Sequence, residues 1–314
     1  MKSRVWLRGS QPSLCICKYI KNNILYNNLY RITYNWQRQN NNRKICRRME
    51  ITMDLEKELA TAKEAAVQAG LAIMDVYNNA EDMEITYKDG DMPLTAADKA
   101  SNRIIVDALR KKFPTYSILS EEEKDDLSRL ENDYCFVVDP LDGTKEFIKR
   151  NGQFTVNIAL SYQHKSVMGV IYVPVTGELY YAAQGMGAYL DTQQEKGKKL
   201  QVSDCTDIKE LRMVMSSSHG CEQMDKLLEK YQIKNFVKMG SSLKGCVVAK
   251  GDAEVYYRFN PTMEWDTAAM QCIVEEAGAI FRQMDDSPML YNREDSLNAK
   301  GFYIINNIEN KLEY

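Results

Sequence analysis

Val137-Val138-Asp139-Pro140-Leu141-Asp142-Gly143-Thr144 is a short apolar strand that runs directly into two carboxylates set around a Pro-Leu turn. Two acids at the mouth of a buried strand need a reason, because each would be costly there without a partner. Hard oxygen ligands of this kind suit Mg²⁺, and Asp139 and Asp142, three residues apart, are placed to share a pair of ions with the Leu141 carbonyl as a further ligand. Gly143 permits close backbone approach, and Thr144 opens a short helix whose free amides suit a phosphate. A solitary run of this type is equally well read as a turn with an Asx cap, so the decision rests on the rest of the chain.

Upstream, Leu55, Leu59, Ala62, Ala66, Ala69, Ile73 and Val76 recur in steps of three and four, which predicts an amphipathic helix over 53–77. A second helix is predicted over 96–112, stopping before Pro114. Around and after the quoted stretch the period becomes that of strands: Cys135–Val138, then Phe154, Val156, Ile158 and Leu160 alternating with Thr155, Asn157 and Ala159, then Val167–Val173 and Glu178–Ala183 across a Pro174–Gly177 turn. Beyond the polar stretch 191–199 the pattern reads strand over 213–216, helix over 223–231, strand over 242–250 and 255–259, and a helix over 265–277 closed by Gly278. Helices and strands in separate blocks indicate an α+β fold, with residues 51–200 as an N-terminal subdomain carrying the metal site and 201–314 as a C-terminal subdomain.

Composition bounds the function. The 314 residues are 44% hydrophobic and 27% charged, and no run approaches the roughly 18 to 20 apolar residues of a membrane span, so a soluble globular chain without a transmembrane segment is expected. Two histidines and eight cysteines without a CxxC pair leave little material for a zinc site, and the scattered thiols suit a reducing, cytoplasmic setting. The net charge of −3 conceals an asymmetry: residues 1–50 hold 11 Lys and Arg against the single acid Glu50, whereas residues 51–314 carry 30 basic and 43 acidic side chains. An acidic body argues against nucleic acid as a partner and is compatible with a cation-dependent site. The basic, Asn-rich leader reads as disordered or as no part of the mature protein, with Met49 or Met53 as the start; a transit peptide or a nucleic-acid arm are the alternatives.

Other acids gather round the central stretch. Glu121 lies in Leu119-Ser120-Glu121-Glu122-Glu123, and Asp266 lies at a helix start in Glu264-Trp265-Asp266-Thr267-Ala268-Ala269. Asp98 lies in Thr95-Ala96-Ala97-Asp98, the pattern of a capping box. Taken singly, these read as a solvated face, a dipole-compensating acid and a cap. Taken in order with 93–101 and 137–160, they resemble the inositol monophosphatase-like phosphatases, which are metal-dependent and lithium-sensitive, over about residues 53 to 310. The run Lys145–Gly152 is similar to the CysQ branch of that superfamily, the 3′(2′),5′-bisphosphate nucleotidases.

The resemblance implies a layered α-β-α-β-α sugar-phosphatase architecture. It implies two or more Mg²⁺ ions on Glu121, Asp139, the Leu141 carbonyl, Asp142 and Asp266, with Asp98, Thr144 and Glu121 as catalytic residues. The substrate would be adenosine 3′,5′-bisphosphate, cleaved to AMP and phosphate, or its sulfated analogue, in sulfur metabolism. It would lie against Glu121, Leu141, Asp142, Gly143, Thr144, Asp266 and a distal group of His219, Ser241, Lys244 and Arg258. An inositol or other sugar monophosphatase would share every metal residue, and a silent binding member of the fold is the alternative from another class. Monomer and homodimer are both open, as is peripheral membrane association.

Overall fold

The computed structural model describes residues 30–38, 44–79, 85–88, 92–216 and 221–314. The chain divides into two units, residues 1–56 and 57–314. In the first, β1 (Tyr30–Arg38) pairs antiparallel with β2 (Lys44–Met53), with a register shift between Asn35 and Trp36.

The second unit opens on α1 (Glu56–Asn79), which buries Leu59, Ala62, Ala66, Ala69 and Ile73, the stripe its three-and-four spacing predicts. A Cβ on Gly70 would stand 2.3 Å from the Tyr172 ring, so this glycine is what lets the helix approach the sheet. After β3 (Ile85–Lys88) and β4 (Met92–Thr95), α2 (Ala96–Lys112) starts at the Thr95 capping box and ends before Pro114, on a last turn of Arg110, Lys111 and Lys112 that complements the helix dipole.

A seven-stranded sheet follows, built from β5 (Ser117–Ser120), β6 (Tyr134–Asp142), β7 (Thr155–Tyr162), β8 (Lys165–Val173), β9 (Glu178–Ala183), β10 (Gly187–Asp191) and β11 (Lys198–Lys199). Its order is β11-β10-β9-β8-β7-β6-β5, antiparallel except for the parallel β5–β6 pair, and the short α3 (Thr144–Ile148) leaves the end of β6. The second sheet comprises β12 (Arg212–Ser216), β13 (Asn235–Met239), β14 (Val255–Arg258), β16 (Ile280–Gln283) and β18 (Phe302–Ile305), in the order β13-β12-β14-β18-β16. Three helices accompany it: α4 (Glu222–Tyr231), α5 (Leu243–Ala249) and α6 (Glu264–Glu276). The β15 (Thr262–Met263) and β17 (Leu297–Asn298) pair is separate.

Strand alternation sorts the layers. Cys135 and Val137 join the inner cluster with Ala268, Ala269 and Ile273 of α6, while Phe136 and Val138, equally buried, belong to the opposite face, where α2 packs on β6. In the second sheet Val214, Tyr256 and Ile304 turn inward to α5 and α6, and Met213, Tyr257, Tyr303 and Ile305 turn outward to Met224 and Leu227 of α4. The layers are therefore helix, sheet, helix, sheet, helix, as the sequence resemblance implied. One element departs from expectation: residues 242–250 form a helix, not a strand. The Val247-Val248 pair suggests a strand, yet Leu243, Cys246 and Val247 are all buried on one short helix, and a Cβ on Gly245 would stand 2.2 Å from Met270 of α6. A run this short and apolar carries no decisive period.

Candidate active site

Five element ends line one cleft, the C-terminal ends of β5 and β6 and the N-terminal ends of α3, α5 and α6, and the start of α2 adjoins it through Asp98 and Thr144. Asp139 shares the inward parity of Cys135 and Val137, so it faces α6. Asp142, three residues on, would turn to the opposite face in a regular strand. It does not, because β6 carries a bulge: Asp139 stands opposite Asn157 and Asp142 opposite Thr155, three residues of β6 against two of β7. Pro140, which has no amide to give the ladder, sits within the bulge. Gly143 follows at φ +93°, where a Cβ would lie 3.2 Å from the Gln153 carbonyl, so the sharp exit into α3 needs glycine.

Asp139, Asp142 and Asp266 each bring a carboxylate oxygen to within 4.8 Å of the others. Glu121 and Leu141 line the same cleft, which encloses about 270 Å³. Asp139 is buried, and its Oδ1 accepts from the Leu141 amide at 3.1 Å. Burial, then Glu121, Asp142 and Asp266, push its carboxyl well above the ordinary value. Asp266 Oδ2 accepts from the Met263 amide at 2.6 Å, and burial with Asp142 pushes this carboxyl up to about 7 despite that bond. Clustered carboxylates that hold one another's protons on are a site short of positive charge, and an all-oxygen donor set fits a hard divalent cation. The residues present therefore fit magnesium.

Asp98 is buried and splits its duties. Oδ2 accepts from the Thr95 amide at 2.8 Å and the Thr95 hydroxyl at 2.6 Å, while Oδ1 accepts from the Thr144 hydroxyl at 3.3 Å across 46 residues of chain. The cap and the contact with Thr144 coexist in one side chain. Gly143 and Thr144 both line the cleft.

The same cleft carries cations. Lys244 Nζ donates to the Ser241 carbonyl at 2.5 Å and stands 5.9 Å from the centroid of the Tyr256 ring. Burial, with Arg258 beside it, holds its ammonium below the usual value in spite of Asp142 and Glu146. Arg258 lines the same wall, and its buried Nε has no hydrogen-bond partner among the described residues. Ser241, at φ +52°, reaches Asp142 Oδ2 at 2.8 Å. The structure thus brings Glu121, Asp139, Leu141, Asp142, Gly143, Thr144, Ser241, Lys244, Arg258 and Asp266 to one cleft, with Asp98 bonded to Thr144. His219 and its neighbour Ser218 lie outside the described residues. Sequence reasoning missed Thr155 and Asn157, which with Ser242 are buried and bonded around Asp142. A polar residue inside the apolar run Val156-Asn157-Ile158 was the available signal.

With this geometry in view, the family model described as the inositol monophosphatase family matches residues 54–311. The chain belongs to the inositol monophosphatase family. Within it, the chain is 42% identical over 240 residues to the 3′(2′),5′-bisphosphate nucleotidase CysQ of Salmonella typhimurium, covering 76% of this chain and 96% of that one. Identity to CysQ of Escherichia coli K12 is 40% with the same coverage. Among solved structures, CysQ from Bacteroides thetaiotaomicron, a bacterial member of the same family, superposes with a TM-score of 0.70 at 39% identity, over 80% of this chain and 98% of that chain. The suhB protein of Bartonella henselae gives a TM-score of 0.70 at 25% identity, over 80% and 95%. The family and fold expected from the sequence are borne out. Among the described residues, no helix is long and apolar enough to cross a membrane.

Proposed function

We propose that the protein is a Mg²⁺-dependent phosphomonoesterase that removes the 3′-phosphate of adenosine 3′,5′-bisphosphate, giving AMP and phosphate in sulfur metabolism, with the sulfated analogue as a second substrate. One observation carries the choice of substrate: the cleft that gathers the carboxylate cluster is also lined by Lys244 and Arg258. A bisphosphate has a second phosphate to pair with these cations, whereas an inositol monophosphate leaves them without one. The named activity of the CysQ relatives supports the same reading.

Glu121, Asp139, the Leu141 carbonyl, Asp142 and Asp266 would hold two or more ions. Held there, Mg²⁺ would lower the pKa of an attacking water and offset charge on the leaving oxygen. The chain's own residues do the rest. Asp98, fixed by Thr95 through one oxygen, keeps the other for the Thr144 hydroxyl, and this pair takes and passes the proton of the attacking water. Amides of Gly143 and Thr144 donate to phosphate oxygens, and Lys244 with Arg258 grips the phosphate that does not react.

The test is kcat/KM for Lys244→Ala and Arg258→Ala on adenosine 3′,5′-bisphosphate and on an inositol monophosphate, with circular dichroism to confirm folding. Each lost charge-assisted bond is worth about 1.5–3 kcal/mol, so a loss of roughly 10- to 150-fold is expected on the bisphosphate. The inositol phosphate should lose far less. Equal losses on both, or a wild-type preference for inositol phosphate, would reassign the enzyme to sugar monophosphates.

A further inference from the structure

Asp142 Oδ2 is crowded. It accepts from the Ser242 amide at 2.7 Å, the Ser242 hydroxyl at 2.8 Å, the Ser241 hydroxyl at 2.8 Å and, more distantly, Asn157 Nδ2 at 3.4 Å. An oxygen so surrounded has no lone pair left for a cation, so Oδ1 alone is available to one.

Proton bookkeeping shows what fixes this arrangement. Thr155 Oγ1 donates to Asn157 Oδ1 at 2.9 Å, which sets the amide with Nδ2 toward Ser242 Oγ at 2.9 Å. Ser242 Oγ therefore already receives a donor, and its single proton must point outward. Its two acceptors are Asp142 Oδ2 at 2.8 Å and the Asp266 main-chain carbonyl at 3.2 Å, and the shorter, charge-assisted contact takes it. Ser241 is different: its hydroxyl also lies 2.7 Å from Thr155 Oγ1, so its proton has two destinations and it is free to turn to a ligand. Thr155, Asn157 and Ser242 are all within 1% of fully buried, so water does not compete for these bonds.

We propose that Asn157 and Ser242, with Thr155 behind them, are positioning residues that pin one oxygen of Asp142 and thereby commit the other to the cation. The ladder joins the first sheet to the middle helices: Thr155 and Asn157 come from β7 and Ser242 from the turn into α5. The inference rests on the reading of the cluster as a metal site.

The experiment is calorimetric Mg²⁺ titration, without substrate, of the full chain and of Ser242→Ala, Asn157→Ala and the double variant, beside thermal melts in EDTA. Ser161→Ala is the control, since Ser161 is a buried hydroxyl on the same strand with no partner among the described residues. Loss of an outer-sphere partner weakens metal affinity by about 10- to 100-fold, so each single variant should bind Mg²⁺ about 10-fold more weakly or worse. Because both act through one oxygen, the double variant should lose little more than the worse single, and Ser161→Ala should match wild type. Binding by Ser242→Ala within twofold of wild type, with an unchanged melt, overturns the proposal, and this smallest variant decides alone if Asn157→Ala does not fold. A wild-type chain that binds no Mg²⁺ overturns the metal reading itself.

Discussion

Asp98 uses its two oxygens for different ends, and that division gives a residue-scale prediction. Asp98→Asn retains an acceptor for the Thr95 amide, so the helix cap survives, but it cannot take a proton. Its kcat should fall by about 10²-fold or more, the usual worth of a positioned base, while Mg²⁺ affinity stays within about threefold. Asp139→Asn should do the reverse first, weakening Mg²⁺ binding severely, because Asp139 lies among the clustered carboxylates. Calorimetric titration beside kcat decides, and equal loss of Mg²⁺ affinity in the two variants would make Asp98 a ligand. At this scale the sequence was legible wherever the candidate site draws on a contiguous motif: Asp139, Asp142, Gly143 and Thr144 are neighbours on the chain and line one cleft. Ser242 was not legible as a partner of Asp142, because 100 residues separate them and only the sheet geometry brings them within 2.7 Å.

At the scale of elements, the strands and helices with a clear period were readable to within a residue or two, α2 over Ala96–Lys112 among them. Strand β13 was missed because it is an edge strand, with Asn235, Phe236 and Lys238 exposed, and shows no apolar alternation. The bulge in β6 was missed because nothing in Pro140-Leu141 says which face Asp142 will take until β7 is laid against it. The second sheet is pinned by another acid that the sequence did not single out. Glu254, wholly buried, accepts from the Arg212 amide at 2.6 Å, from Arg212 Nε at 3.2 Å and from Arg212 Nη2 at 2.5 Å, joining the starts of β12 and β14. Burial alone would raise its carboxyl, but the Arg212 bonds outweigh burial and hold it below its ordinary value. A depressed folded-state pKa gives stability that is present above the unfolded value, about 4.3, and is lost as pH falls through the folded one. Glu254→Gln should therefore cost about 1.5–3 kcal/mol at pH 7, kept to the lower range for breaking a buried pair because solvent reaches Arg212. Urea melts at pH 7 and pH 3.5 test this, and a gap between wild type and variant that does not narrow in acid would show that the charge is not what stabilises the pair.

For the molecule as a whole, the candidate metal site is where separate layers meet: Asp139 and Asp142 belong to the first sheet, Asp266 to the middle helices and Glu121 to the end of β5. Without a cation these carboxylates oppose the packing that gathers them; with one they hold it together. Mg²⁺ at 100 times its Kd should stabilise the fold by about 2.7 kcal/mol, and at about 2–4 °C per kcal/mol for a unit near this size, Tm should rise by about 5–11 °C over its value in EDTA. The repulsion also predicts an inversion. Asp139→Asn removes a crowded carboxyl that is costly whether it ionises or keeps its proton, so in EDTA this variant should melt above wild type, whereas in Mg²⁺ wild type should overtake it because the variant has lost a ligand. Thermal melts of both proteins in EDTA and in MgCl₂, with NaCl at matched ionic strength, read the four values directly. If the variant melts below wild type in both solutions, the carboxylates are held by the fold without strain, and the site does not depend on a cation to stand.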